Sequence, residues 1–267
     1  SGEVTLSWTA NEEADLTHYV VHKGLVPDAL DSLAMVAEPA AEYVDSVLDH
    51  TVINYYALTA VDTASLVSDT SAVLSVSFPS LATSDESLSF GDVRIGVVKT
   101  LQLTLSNTGS DTLFVDSIYV SDSLSGFSVA LGEMDTSRSL IDRMALSTEV
   151  MPGESIGLDV SFMREDTLTV ANELRITSDD PLGNDVVSVG LSGRSVAPVL
   201  VLAADTLDFG HILSESQLSV MVSNDGTDTL NVSAISFPTG FTGSMADSVF
   251  APGEGAQLMV SFTPEDN

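Results

Sequence analysis

Two histidines four positions apart, His18 and His22, come nearer than any other pair in this 267-residue chain to the spacing of a metal site. On a helix that spacing places both imidazoles on one face, ready for zinc. Here the first histidine is not followed by glutamate, and the flanking residues Leu16-Thr17-His18-Tyr19-Val20-Val21-His22 alternate as a strand does. Four residues of strand separate two rings by roughly 13 Å, too far to share an ion that sits about 2 Å from each nitrogen. Surface histidines are the preferred reading. Asp179, Asp180 and Asp185 form the other candidate set, an acidic cluster able to supply oxygen ligands to calcium. Paired acids such as Glu12-Glu13 could in principle do acid–base work, but in so acidic a chain a carboxylate pair says little. Gly190-Leu191-Ser192-Gly193 lacks the spacing of a nucleophile elbow. Asn231-Val232-Ser233 is a lone glycosylation pattern. Neither a phosphate-binding loop nor an EF-hand loop is present.

The charge narrows the partners. There are 39 acids against 8 lysines and arginines, a net charge of −31. Residues 1–80 hold 12 acids and 1 base, residues 81–197 hold 18 and 7, and residues 198–267 hold 9 and none. An even acidic coat of this kind keeps a protein soluble and repels nucleic acid and anionic membranes. It suits salty surroundings, where screening shortens the reach of self-repulsion, and points to a marine or halophilic bacterium. Cysteine is absent, which removes disulfides and thiolate metal sites. No apolar run approaches the ~20 residues that span a bilayer.

The elements that must position any site are strands. Val4, Leu6 and Trp8 alternate with polar residues, as do Leu101, Leu103 and Leu105, and Leu158, Val160 and Phe162. Two segments could hold short helices, Pro27–Ala34 and Ser137–Ala145. The expected fold is all-β, a tandem of immunoglobulin-like β-sandwiches arranged as a rod.

The sequence also repeats itself. Leu88-Ser89-Phe90-Gly91, Asn107-Thr108-Gly109-Ser110-Asp111-Thr112-Leu113 and Pro152-Gly153-Glu154 return as Leu207-Asp208-Phe209-Gly210, Asn224-Asp225-Gly226-Thr227-Asp228-Thr229-Leu230 and Pro252-Gly253-Glu254. Phe90 and Phe209, at period-two positions, are expected to fill two cores. Asn-x-Gly is expected to supply the positive-φ residues of a hairpin turn. The copies differ in two ways. Phe127 to Pro152 is 25 positions against 11 from Phe241 to Pro252, so the first copy carries about 14 extra residues near 131–148. With Arg138, Leu140, Ile141, Arg143 and Met144, this insertion is the best local candidate for a contact surface in an otherwise anionic chain. After Phe162 the first copy runs on 33 residues to Ser195, while five follow Phe262.

Two resemblances rest on these residues. Val4–Ala10 with Trp8, Leu16–Gly24 with Tyr19, Tyr43-Val44-Asp45, and Tyr55–Asp62 with Tyr56 resemble a fibronectin type III domain over about 1–79. The resemblance implies that Trp8 packs on Tyr19 and that Tyr56 makes a corner hydrogen bond. That family has a strand ahead of the tryptophan strand, where only Ser1-Gly2-Glu3 stand here. The repeated modules resemble Hydin-like (ASH, choice-of-anchor D) immunoglobulin-like domains, carried by Leu88–Gly91, Asn107–Leu113, Pro152–Glu154, Phe162, Ser178-Asp179-Asp180-Pro181 and Leu191-Ser192-Gly193. That family places a polar turn at Asp179-Asp180 in any case. The expected domains are 1–79, 80–197 with the insertion near 131–148, and 198–267, the first lacking a strand and the last lacking about two. Either the polypeptide is longer or neighbouring subunits complete the sheets by strand addition; the first is favoured. Proline linkers Pro79-Ser80 and Ala197-Pro198 stiffen the joints.

The sequence therefore predicts a non-enzymatic extracellular or cell-surface protein without a cofactor, calcium being the one candidate. It would be a segment of a surface filament, sheath or adhesin stalk, contacting like or neighbouring subunits through β-edges or end to end, without nucleic acid or membrane insertion. The alternative is an accessory spacer or sorting region of a large secreted enzyme. A carbohydrate-binding module would need a platform of exposed aromatics, which is hard to find here.

Overall fold

The computed structural model describes residues 2–132 and 143–264, and the side chains of 143–147 are not among those described. The chain is almost entirely β, built of immunoglobulin-like sandwiches. Its strands fall into three sets that share no sheet.

The first set comprises β1 (Val4–Ser7), β2 (Leu16–Val26), β3 (Ala29–Ala37), β4 (Glu42–Asp45), β5 (Asn54–Asp62) and β6 (Leu74–Val76). β1 pairs with β4, and the facing sheet runs β3-β2-β5-β6. Period-two alternation aims Tyr19 and Val21 of β2 and Tyr56 of β5 into one core with Val4, Leu16 and Val36, and Leu6, Trp8, Tyr43 and Phe78 close it. The expected helix at Pro27–Ala34 is not formed. Pro27-Asp28 is the turn of a hairpin, and Ala29–Ala37 pairs with β2 along its length. Eight residues hold too little helical periodicity to outweigh a cross-strand ladder.

The second set comprises β7 (Leu81–Thr83), β8 (Ser87–Arg94), β9 (Lys99–Asn107), β10 (Leu113–Val120), β11 (Phe127–Leu131), β12 (Arg143–Val150), β13 (Ser155–Phe162), β14 (Thr169–Ser178) and β15 (Val186–Val196), with a 3-10 turn at Ser123–Ser125. The sheets run β12-β10-β14-β15-β8 and β11-β13-β9-β7. Of the second expected helix, residues 137–142 lie outside the described residues. Arg143, Met144 and Ala145 open strand β12, pairing with Tyr119, Ile118 and Ser117.

The third set comprises β16 (Leu200–Leu202), β17 (Ser216–Asn224), β18 (Leu230–Asn231), β19 (Phe241–Met245), β20 (Val249–Phe250) and β21 (Gly255–Phe262). One sheet runs β16-β17-β21-β19, and β18 pairs with β20 over two residues each. Leu207–Gly210 is not a strand, unlike Leu88–Gly91 within β8. β8 borders β15 in its sheet, and among the described residues no strand follows β21 to play that part.

By contact density the chain divides into two compact units, Ser1–Leu88, Thr100–Ser161 and Asn172–Leu191 in one, and Ser89–Lys99, Phe162–Ala171 and Ser192–Asn267 in the other. In the first, Leu103, Leu105, Leu113, Val115, Ile118, Leu158, Val160, Leu174 and Ile176 are wholly buried, each contributing about 1.5–3 kcal/mol. In the second, Phe90 is buried against Phe162 at 5.8 Å between ring centres, as its period-two position predicts. Phe209 is only half-buried, against Phe241 and Phe262. Among the described residues no helix is long and apolar enough to cross a membrane.

Candidate functional site

The feature that repeats with its geometry intact is a clamp built by Asn-x-Gly-x-Asp on the proline segment ahead of each repeated module. Asn107 ends β9, with 1% of its surface exposed. Its Nδ2 donates to the carbonyls of Asp111 (2.7 Å) and Val150 (2.8 Å), and its Oδ1 accepts from Gly109 N (3.0 Å) and Ser80 N (3.2 Å). Its backbone N donates to Glu154 O (3.0 Å), and its carbonyl accepts from Gly153 N (3.0 Å). Asn224, at the end of β17, does the same. Nδ2 donates to Asp228 O (2.7 Å) and Phe250 O (2.9 Å), Oδ1 accepts from Gly226 N (3.0 Å) and Val199 N (3.1 Å), and the backbone meets Glu254 O (2.8 Å) and Gly253 N (2.7 Å). An amide side chain has two donor hydrogens and two acceptor lone pairs, and all are used. Aspartate has no donor for the two carbonyls.

The expectation that Asn-x-Gly supplies positive φ is corrected. Neither the asparagines nor Gly109 and Gly226 take that conformation. These glycines are needed for close approach. A Cβ on Gly109 would stand 2.2 Å from Phe78 O and 2.6 Å from Ser80 N, and one on Gly226 would stand 2.3 Å from Ala197 O and 2.4 Å from Val199 N. The linker carbonyls are held in turn. Phe78 O accepts from Ser110 N (2.8 Å) and Asp111 N (3.1 Å), and Ala197 O accepts from Thr227 N (2.8 Å) and Asp228 N (3.2 Å). Positive φ belongs instead to Gly153 (78°) and Gly253 (81°), at the third position of turns closed by Glu154 N to Met151 O and Glu254 N to Ala251 O.

The aspartate that closes each clamp also reaches outward. Asp111 Oδ2 accepts from Ser77 Oγ at 3.0 Å. Asp228 Oδ2 accepts from Arg94 at 2.6 Å, and the guanidinium reaches Thr229 O at 3.2 Å. Arg94 holds the Asp228 carboxyl below the usual carboxylate range.

In the first strand set, Tyr56 Oη donates to Asp45 Oδ2 at 2.7 Å, and Lys23 Nζ meets the same oxygen at 2.8 Å and Val47 O at 2.7 Å. Burial pushes the Asp45 carboxyl up. Hydrogen bonds from Lys23, Tyr56 and the Val47 amide outweigh it and hold the group below its ordinary value. Burial first, and then the Asp45 carboxylate, push the Tyr56 phenol well above its own. Lys23 approaches the Tyr56 ring at 5.8 Å. Trp8 packs edge-to-face on Tyr19 at 5.2 Å, as the fibronectin-like pattern implies.

The candidate ligands are spoken for by the fold. His18 and His22 are half-buried on β2, His18 Nδ1 beside Thr17 Oγ1 and His22 Nε2 beside Thr59 Oγ1, each at 3.0 Å. Asp179 Oδ1 accepts from Phe114 N at 2.9 Å. Asp180, 1% exposed, accepts from Leu81 N with Oδ2 and from Leu182 N with Oδ1, both at 2.7 Å. Asp185 contributes its backbone carbonyl to Ser178 N at 2.9 Å. Among the described residues no group of three or more histidines and acids could hold a metal ion. Of the insertion, Arg138, Leu140 and Ile141 lie outside the described residues. Arg143 and Met144 stand at the start of β12, the outermost strand of its sheet.

No protein-family model matches the sequence, and no curated protein matches it. Solved structures overlap it as folds. A Porphyromonas gingivalis W83 protein of unknown function is 17% identical, covering 69% of this chain and 83% of that one at a TM-score of 0.30. The ASH / PapD-like domain 7 of human CEP192 is 16% identical, covering 43% and 84% at 0.29. The chicken CNTN1 FN1–FN3 domains are 11% identical, covering 98% and 84% at 0.31. The chain is similar to these in its β-sandwich modules, and no statement about its role follows from them.

Proposed function

We propose that this chain is a non-enzymatic structural or adhesive segment of an extracellular or cell-surface protein, acting by setting the spacing of its modules. The modules are a fibronectin type III-like domain (1–79) and two Hydin-like immunoglobulin-like domains (80–197 and 198–267). The observation that carries this reading is the pair of clamps. Six hydrogen bonds around Asn107 recur around Asn224, and in both places the clamped partner is the backbone beside a linker proline. Buried, fully satisfied polar groups of this kind fix one arrangement, and a joint fixed twice serves a spacer.

The absence of cysteine makes the test direct, since each introduced cysteine carries a unique spin label. Pulsed dipolar distances are measured between labels at Asp69 and Asp116, and between labels at Asp92 and Ser219. Single narrow distributions are expected, broadening when Asn107→Ala or Asn224→Ala is added to the matching pair. Broad distributions in the parent chain would overturn the reading. So would a hydrolytic activity of this segment that a single polar substitution abolishes.

A further inference from the structure

One short pattern recurs along the chain without a common place in the fold. Twelve of the 25 aspartates are followed by serine or threonine, which make up 61 of the 267 residues, so the pairing runs at about twice its composition. In ten of the twelve the next residue is apolar, four times as Asp-Thr-Leu. The structure puts these triplets in unlike settings. Asp31-Ser32-Leu33 lies within β3, Asp122-Ser123-Leu124 at the 3-10 turn, Asp166-Thr167-Leu168 between β13 and β14, and Asp247-Ser248-Val249 at the entry to β20. A turn or a cap explains one such setting and not all four. What the four share is exposure. Every residue in them is exposed, Leu124 by 84%, Val249 by 57% and Leu168 by 50%. Among the described residues the hydroxyls of Ser32, Ser123, Thr167 and Ser248 make no hydrogen bond. Two other triplets are absorbed by the fold. Ser117 is half-buried and shares a hydrogen bond with Thr177 Oγ1 at 2.7 Å. Asp45, ahead of Ser46, is buried and held by Lys23 and Tyr56.

We infer that Ser32, Ser123, Thr167 and Ser248 are O-glycosylation sites, read by one transferase through the carboxylate before each hydroxyl and the apolar side chain after it. The inference rests on the exposure of these residues and not on the spacer role proposed above. Each triplet offers in a row a charge to orient it, a hydroxyl to react and an apolar surface to dock. Asp122 Oδ1 accepts from Leu124 N at 2.9 Å, and Asp166 pairs with Arg164 at 2.6 Å while 55% of its side chain stays exposed. The hydroxyl oxygen attacks the anomeric carbon of a sugar activated as a nucleotide or lipid phosphate ester. The glycosidic C–O bond forms, and the anomeric C–O bond to phosphate breaks with its electron pair left on the phosphate. The hydroxyl proton passes to a base on the transferase. A neutral sugar suits these sites better than a phosphoryl group. Phosphorylation adds about 1.5–2 negative charges per site, here beside an aspartate in a chain that already carries −31. A sugar adds none, is bulky and solubilising, and lays its C–H face over the exposed Leu33, Leu124, Leu168 and Val249 side chains.

The test is peptide mass spectrometry, with fragmentation that keeps side-chain groups in place, on the full chain isolated from its own cells. Sugar masses are expected on Ser32, Ser123, Thr167 and Ser248, with Ser46 and Ser117 bare. Asp247→Asn, produced in the same cells, should lose the sugar at Ser248 and keep the other three, which report that the variant folds and meets the transferase. Four bare sites would overturn the inference, and phosphate on these residues would assign them to a kinase instead. Sugars spread over exposed serines and threonines without regard to the triplet would also overturn it, as would a sugar retained on Ser248 of the Asp247→Asn chain.

Discussion

Tyr56 donates its hydroxyl to Asp45 Oδ2 at 2.7 Å, and Lys23 Nζ closes on the same oxygen at 2.8 Å. The phenol, the carboxylate and the ammonium belong to β5, β4 and β2, so this one oxygen ties both sheets of the first sandwich together. A hydrogen bond to a charged buried group is worth about 1.5–3 kcal/mol. Tyr56→Phe should lower the stability of the first sandwich by about that amount in denaturant unfolding. Asp45→Ala should cost more, because it leaves the Lys23 charge facing a low-dielectric interior.

The same network sets a pH dependence at both ends. The Asp45 carboxyl is depressed in the folded state, so its contribution is present above the unfolded carboxylate value and is lost as pH falls through the folded one. The Tyr56 phenol is raised, so its contribution is present below the ordinary tyrosine value near 10 and is lost as pH rises beyond it. Urea midpoints measured across pH should show Asp45→Asn flattening the acid limb and Tyr56→Phe flattening the alkaline limb. Parallel curves for parent and variants would reject the assignment.

Asn107 and Asn224 make a sharper case. Replacing either by alanine removes four side-chain hydrogen bonds and leaves two carbonyls and two amides without that partner, a loss of about 3 kcal/mol or more. Asparagine to aspartate keeps the shape but turns two donors into an acceptor facing carbonyls. A carboxylate there is held in its protonated form, so its folded pKa is raised. The Asn107→Asp chain should recover stability as pH falls below the unfolded carboxylate value and lose it as pH rises. Thermal melts at pH 4 and pH 7 distinguish the two variants, since alanine should show no such recovery.

How far these sites were legible in the sequence depends on how far apart the partners lie. Phe90, Phe162, Leu103 and Leu158 declare themselves by period-two alternation, which is local, and the structure buries all four. Tyr56 is visible through the fibronectin-like pattern, but its acceptor Asp45 and the joining of Lys23 are not. Asn107 is legible as a turn residue and illegible as a clamp, because Ser80 and Val150 stand 27 and 43 positions away. The local signal is that Asn-x-Gly-x-Asp recurs after a proline linker, 28 positions beyond Pro79 and 26 beyond Pro198. Asp180 shows the same limit, since a calcium candidate by composition is a bracket on an amide 99 positions distant. Pro27–Ala34 failed for the opposite reason: a short apolar window fits helix and strand alike until the hairpin partner is known.

Glycines of two kinds should respond differently to one substitution. At Gly153, φ is 78° and nothing stands within 4 Å of an added Cβ. Alanine there should cost about 1–2 kcal/mol of left-handed strain, and asparagine, which tolerates that conformation, should cost less. At Gly109 the added atom meets backbone at 2.2 Å, so alanine and asparagine should both cost more than either does at Gly153. Unfolding free energies of the four variants decide it, and asparagine rescue at Gly109 would contradict the close-approach argument.

Arg94 and Asp228 form the outward half of the second clamp at 2.6 Å, with side chains 48% and 25% exposed. An ion pair in that setting gains modest Coulomb energy and spends side-chain entropy, so a double-mutant cycle with Arg94→Ala and Asp228→Ala should return a coupling of about 0.2–1 kcal/mol. Screening at 1 M salt shortens the Debye length to about 3 Å and should bring the coupling close to zero. The Asn224 core of the clamp is buried and uncharged, so Asn224→Ala should cost the same at both salt concentrations. If salt weakened both alike, the joint would be held by charge, and the buried amide would not be its centre.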